Sequence, residues 1–187
     1  MVQTPTKPIT LAAFLALPET KPASEFIDGK ITQKPMPKGK HSRLQTKLSN
    51  VLNDSLEPQH TGLAFTGLRC SFGGAAVVPD VLVLSSDRIT RDQDGDIADI
   101  VEIAPDLIIE ILSPQQSSTK VIKKISHCLN HASQLGWLIE PKERTVLVFR
   151  SNQAVEILEA PTAQLPMPNV LDKFGLTVET LFGWLQV

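Results

Sequence analysis

Two apolar runs, each broken by one carboxylate, constrain this chain more than any other feature. AVVPDVLVL over 76–84 and DLIIEIL over 106–112 have the composition of strands buried on both faces. Yet Asp80 stands inside the first and Glu110 inside the second. Carboxylates are depleted in strands, and burying one is costly unless it is paired or bound to a metal. Alternation puts Val78, Asp80 and Leu82 on one face of the first run, and Ile108, Glu110 and Leu112 on one face of the second. As neighbours, these strands aim two carboxylates at one point. Hard divalent cations such as Mg²⁺ take such a donor set together with water and a substrate phosphate. Each acid alone also has a structural reading. Asp80, after Pro79, can make a local backbone hydrogen bond, and Glu110 can pair with an arginine such as Arg69.

The remaining pattern is mixed α/β, a central mixed sheet flanked by helices in one domain over 1–187. EFIDGKITQ, 25–33, reads as a hairpin turning at Asp28-Gly29, followed by a Pro/Gly/Lys loop over 34–41. A helix is expected over 41–56, with Leu44, Leu48, Val51 and Leu52 at helical spacing and Glu57-Pro58 as its stop. A roughly alternating strand follows over 63–72. The stretch 87–106 is acidic, and its first part reads as a solvated loop. A helix opened by Ser117 or Ser118 runs to about 134. Strands over 137–140, 145–150 and 154–158 and a last amphipathic helix over 178–185 complete the chain. The region 1–22 is an appended helix. Its ITLAAFLAL run is too short to span a bilayer and reads as a helix capped by Thr10 and stopped at Pro18 rather than as an export signal. Cys70 and Cys128 have no metal or redox spacing and read as reduced, buried thiols of a cytoplasmic protein.

The helix after Glu110 supplies a third group. With Val121 at zero and about 100° per residue, Val121, Ile125, Cys128, Leu129 and Ala132 form the core stripe. Lys124 falls at about −60°, bordering that stripe and pointing partly inward, whereas Lys123 faces solvent. Lys124 is therefore the lysine that reaches back over the sheet. His127 and His131 read as a polar flank. SPQQSST lacks the glycines and lysine of a P-loop and reads as a helix-capping turn. Trp137 and Trp184 lie in apolar segments and read as core or subunit contacts.

Taken in order, these pieces resemble the Uma-type "putative restriction endonuclease" family, a bacterial group abundant in cyanobacteria within the PD-(D/E)XK nuclease superfamily. The resemblance covers about 25–150: EFIDGKI, a helix opening at His41, VVPDVLVL, DLIIEILSP, a lysine fourteen residues after Glu110, then WLIEP. It implies a restriction-endonuclease-like fold with Asp80 and Glu110 as metal-binding acids and Lys124 as the catalytic lysine. Glu25 matches the family's acid near the start of the fold, and His41 its recurrent histidine. For these last two a surface hairpin position and a helix-capping or surface position are the structural alternatives. The superfamily pattern has a lysine two residues after the Glu, where this chain has Leu112. Members of the family it resembles commonly carry the lysine on the following helix instead, where the wheel independently selects Lys124.

Such a site hydrolyses phosphodiester bonds, and the chain is expected to be a Mg²⁺-dependent (or Mn²⁺-dependent) endonuclease acting on DNA. A metal on Asp80, Glu110 and the backbone carbonyl of Ile111 would activate water and polarise the phosphoryl oxygen. Lys124 would orient that water or stabilise transition-state charge. Glu25 would serve a second metal or its water shell, and His41 a phosphate or a proton transfer. A net charge of −2, from 18 Lys+Arg against 20 Asp+Glu, excludes a binder that coats nucleic acid or membrane through bulk charge. The basic residues are nevertheless grouped. Lys38, Lys40, Arg43 and Lys47 lie in a stretch with no acid and are expected to bind nucleic acid. A homodimer is expected, since double-strand cleavage needs two sites or two visits. Two other classes remain open: a non-catalytic nucleic-acid-binding or interaction protein on the same scaffold, and a metal-dependent hydrolase of small phosphoesters.

Overall fold

The computed structural model describes residues 9–186, so the first eight residues of the appended 1–22 region lie outside it. Helix α1 (Leu11–Leu15) starts where the Thr10 hydroxyl accepts the Ala13 N–H, and its Phe14 stacks on Phe26 with ring centroids 5.5 Å apart. Strands β1 (Ser24–Ile27) and β2 (Lys30–Gln33) form the expected hairpin. Its turn residues Asp28 and Gly29 both have positive φ (51° and 72°), as a tight two-residue hairpin turn requires.

The next elements are α2 (Gly39–Leu56), β3 (Gly62–Phe65), β4 (Cys70–Phe72), β5 (Ala75–Val77), β6 (Val81–Ser85), β7 (Leu107–Ile111) and α3 (Ser118–Leu129). The chain closes with β8 (Leu135–Glu140), β9 (Thr145–Phe149), β10 (Glu156–Leu158) and α4 (Val178–Gly183). Six strands form one sheet in the order β10-β9-β8-β7-β6-β3, and four form an antiparallel sheet in the order β2-β1-β5-β4. In the larger sheet only β7 and β8 run parallel. Parallel neighbours need a long crossover, and α3 provides it.

Both faces of the larger sheet are covered, which explains its unbroken apolar runs. On one face α2 lays down Leu44, Leu48, Leu52 and Leu56 against Val81, Val83, Ile109 and Trp137, with Phe182 of α4 in the same cluster. On the other face α3 lays down Val121, Ile125, Cys128 and Leu129 against Leu82, Ile108 and Leu138. Trp137 is therefore core, as expected. Cys70 and Cys128 are buried and unpaired, and burial pushes the Cys70 thiol up to about 12. Among the described residues no helix is long and apolar enough to cross a membrane.

Five local expectations are corrected. The run 76–84 is not one strand: Pro79 has no N–H to donate to a ladder, so the chain leaves β5 in one sheet and enters β6 in the other. Asp80 sits at that joint, not inside a strand. The segment 63–72 likewise divides into β3 and β4, which belong to different sheets. Helix α2 opens at Gly39, inside the expected loop, and Ser117 holds the N-cap position of α3 without a side-chain cap bond. Finally, α3 ends at Leu129 rather than near 134. Ala132, expected on its core stripe, is exposed in a left-handed turn (φ 75°) that leads into β8.

The contact of α3 with β8 has no slack. A Cβ on Gly136 would lie 2.4 Å from Ile125 Cγ2 and 3.4 Å from Ile108 Cγ2. Gly136→Ala is expected to destabilise the fold by about 1–3 kcal/mol through overpacking, measured by urea denaturation. Combined with Ile125→Ala it should cost less than the sum of the two single changes; strict additivity would show that the two groups do not collide.

Candidate active site

The pairing of β6 with β7 sets the position of the two acids. Its register matches Val81 with Ile109 and Leu82 with Ile108, which brings Asp80 level with Glu110 at the next step. Glu110 shares the α3-facing side of the sheet with Ile108, as alternation predicts, and is only 1% exposed. Lys124, 2% exposed, turns inward from α3 and places Nζ 2.8 Å from Glu110 Oε2 and 2.8 Å from Glu25 Oε1. Glu25 is buried on β1, and the same oxygen accepts the Val78 N–H at 2.8 Å. The smaller sheet thus contributes its acid to a site built on the larger one.

Asp80 is held by several partners. Oδ2 accepts the Ile111 N–H at 2.7 Å, and Oδ1 accepts the Lys34 ammonium at 2.6 Å. His41, buried in the first turn of α2, brings Nε2 to 3.3 Å from Oδ1 and Nδ1 to 3.2 Å from Ser113 Oγ. Gln45 donates to the Asp80 carbonyl at 2.8 Å, fixing the joint from α2. Neither acid therefore has its isolated structural reading: Asp80 bonds a distant backbone amide, and Arg69 pairs with Glu19, not Glu110. Glu25 and His41 are not surface residues. Ile111 enters the site through its N–H.

The charges of this buried group are strongly interdependent. Burial alone would raise the Asp80 pKa, but the His41 hydrogen bond and the charges of Lys34, His41 and Lys124 outweigh it and hold the carboxyl well below the usual range. For Glu110 burial wins: it pushes the carboxyl up to about 7, aided by Asp80 and Glu25 and opposed by Lys124 and Lys34. Burial disfavours the Lys124 ammonium, yet Glu110, Glu25 and Asp80 keep it charged, well above the ordinary lysine value.

Two cavities flank the site, sharing Pro114, Gln115 and Gln116 as a common wall. One, about 420 Å³, is lined by Glu25, Lys34, Lys120 and Lys124 among others. The second, about 660 Å³, is lined by Lys38, Lys40, His41 and Lys142. The expected basic group is thereby divided. Lys38 and Lys40 border the second cavity, whereas neither Arg43 nor Lys47 lines it, and Arg43 Nε instead donates to the Trp184 carbonyl at 3.0 Å. His127 stacks on Phe72, and His131 packs tilted against both rings.

Lys34 lies outside the residues expected at the site, although the hairpin carries a signal for it. The hairpin register pairs Glu25 with Thr32, so Lys34, two residues after Thr32, shares the Glu25 face. As for a metal, among the described residues no three His, Cys, Asp or Glu side chains form a cage. Mg²⁺ does not require one, since it binds through one or two carboxylates and keeps several waters. One carboxylate oxygen here, Glu110 Oε1, is buried without a hydrogen-bond partner, which fits an acid with a coordination position left to fill.

The model of the Uma2 family, described as "putative restriction endonuclease", matches residues 11–179. The chain belongs to the Uma2 family. Among solved structures, this Uma2 chain is similar to the crystal structure of a "putative nuclease belonging to DUF820" from Anabaena variabilis. The two are 52% identical, with 95% of this chain and 99% of the other covered and a TM-score of 0.93. None of the curated proteins compared matches it. The α/β, restriction-endonuclease-like fold expected from the sequence is the fold of this Uma2 protein.

Proposed function

We propose that this protein is a divalent-metal-dependent endonuclease that hydrolyses phosphodiester bonds in DNA. The observation that carries the reading is the strand register that sets buried Asp80 beside buried Glu110, with Lys124 Nζ 2.8 Å from Glu110. Asp80 and Glu110, with the Ile111 carbonyl, would hold Mg²⁺ or Mn²⁺. Bound there, the metal supplies a water of lowered pKa and polarises a phosphoryl oxygen. Lys124 is clamped between Glu110 and Glu25, so its charge is fixed in place before substrate arrives and needs no reorganisation to stabilise the transition state. Glu25 positions that lysine. His41 orients Asp80 and is close enough to the second cavity to meet a phosphate there. A homodimer, tested by sedimentation, would supply one site per strand, and the reduced thiols suit work in the cytoplasm.

The test is incubation of the purified chain with Mg²⁺ or Mn²⁺ and DNA of varied form, against free nucleotides and small phosphoesters. Metal-dependent cleavage of the polymer is expected; turnover of small phosphoesters alone would move the assignment to another hydrolase class. A second measurement concerns the approach of DNA. The double variant Lys38→Ala/Lys40→Ala should bind DNA more weakly, with the slope of log K against log salt reduced by about two. Fluorescence anisotropy over a salt series reads this directly, and an unchanged slope would remove both lysines from the interface.

One observation favours a different reading, a non-catalytic nucleic-acid-binding protein on this scaffold. Lys34 and Lys124 already pair both acids without a metal. DNA binding without turnover, together with no Mn²⁺ uptake by calorimetry, would decide for it.

A further inference from the structure

Lys34 is the feature of the site that the proposed chemistry leaves unused. Its backbone is fixed at the end of the hairpin, where its N–H donates to the Ala23 carbonyl at 2.9 Å. Its ammonium lies 2.6 Å from Asp80 Oδ1, 2.7 Å from the Val78 carbonyl and 3.9 Å from Glu110 Oε2. It thus stands beside both acids, hydrogen-bonded to Asp80 and within ion-pair reach of Glu110. Neither Asp80 nor Glu110 lines either cavity, whereas Lys34 does, at 13% side-chain exposure. The lysine is the lid between the carboxylates and the open space.

We infer that Lys34 is a built-in counter-ion that occupies the cation position between Asp80 and Glu110 in the metal-free protein and must leave when a divalent cation enters. This inference rests on the metal-dependent reading above. Two physical arguments support it. The first is space: Mg²⁺ binds oxygen at about 2.0–2.1 Å, so a cation on Asp80 Oδ1 would crowd an ammonium already hydrogen-bonded to that oxygen. The second is charge. With Glu110 ionised, as a carboxylate must be to bind a metal, Glu25, Asp80 and Glu110 bring three negative charges against the two positive charges of Lys34 and Lys124. A divalent ion added to both lysines would leave the buried group with an excess of positive charge, whereas exchange for Lys34 balances it. The cavity of about 420 Å³ beside Lys34, lined also by Thr32, Ser117 and Lys120, gives the released side chain somewhere to go. There its ammonium becomes available to an entering phosphodiester, so that loading of the metal and preparation for the phosphate are one exchange.

The experiment is calorimetric titration of Mn²⁺ alone into the full chain and into Lys34→Gln and Lys34→Met. Removing the competing ammonium is expected to tighten Mn²⁺ binding by at least about tenfold. A second readout uses the unaltered protein, so it does not depend on the variants folding. Reductive methylation mapped by mass spectrometry should modify Lys34 slowly without metal and several-fold faster with Mn²⁺, with the exposed Lys120 and Lys123 as internal references. Equal affinities in all three proteins, or Lys34 methylation that ignores Mn²⁺, would overturn the exchange while leaving the metal site standing. Failure of every protein to take up Mn²⁺ would overturn both the exchange and the metal-dependent reading. Uptake by the variants alone would support it most directly.

Discussion

Lys124→Met is expected to abolish cleavage and to destabilise the metal-free protein by about 3–5 kcal/mol, the usual effect of removing one partner from a buried charge pair. The side chain is nearly isosteric, so the loss is electrostatic rather than a cavity. With the ammonium gone, Glu110 loses its nearest counter-charge and Glu25 keeps only the Val78 N–H. Glu110 is the group that yields, because burial already pushes its carboxyl up to about 7. The sign follows from linkage. A carboxyl whose folded pKa lies above its unfolded value binds more protons when folded, so between about 4.5 and about 7 its contribution to stability falls as pH rises. Lys124 opposes that rise, and its removal extends the window upward. The urea midpoint of Lys124→Met should therefore recover toward the wild-type value in mild acid and lie furthest below it at alkaline pH. A midpoint unchanged at alkaline pH would mean that the buried acids do not depend on this lysine.

Asp80→Ala and Asp80→Asn separate chemistry from fold. Both are expected to lose metal-dependent cleavage by at least about a hundredfold, since neither can present a carboxylate beside Glu110. Their stabilities should differ. Alanine leaves the Ile111 N–H buried without an acceptor, a cost of about 1–3 kcal/mol. Asparagine keeps an oxygen for that amide and should retain more of the fold. Cleavage assays and urea denaturation on the same preparations read both quantities. Cleavage by Asp80→Asn at the wild-type rate would refute the role given to Asp80 while leaving its structural role intact.

Much of this arrangement is written locally in the chain. The turn at Asp28-Gly29, the leucine face of α2 and the all-apolar strands follow from φ preferences and periodicity, which neighbouring residues carry without help. Lys124 could be found in the same way, because a helix wheel shows which side chains border the buried stripe even before the partner sheet is known. The acids could be found because each breaks an apolar run and so needs a partner. Expectation and structure part where a local pattern has two global solutions. Nothing in the alternation of 76–84 says that Pro79 ends one strand and that the next belongs to a different sheet, and 63–72 hides the same change.

The two carboxylates broken into apolar runs were thus determined by the sequence alone, as were the lysine that faces them and the mixed α/β layering that buries them. Only the tertiary structure decided what surrounds those acids. Lys34 reaches Asp80 across 46 positions of sequence and Lys124 reaches Glu25 across 99. Such pairs form because two sheets meet at the Asp80 joint. Periodicity records which way a side chain faces within its own element, whereas the identity of its partner depends on how separate elements pack, which no local pattern encodes.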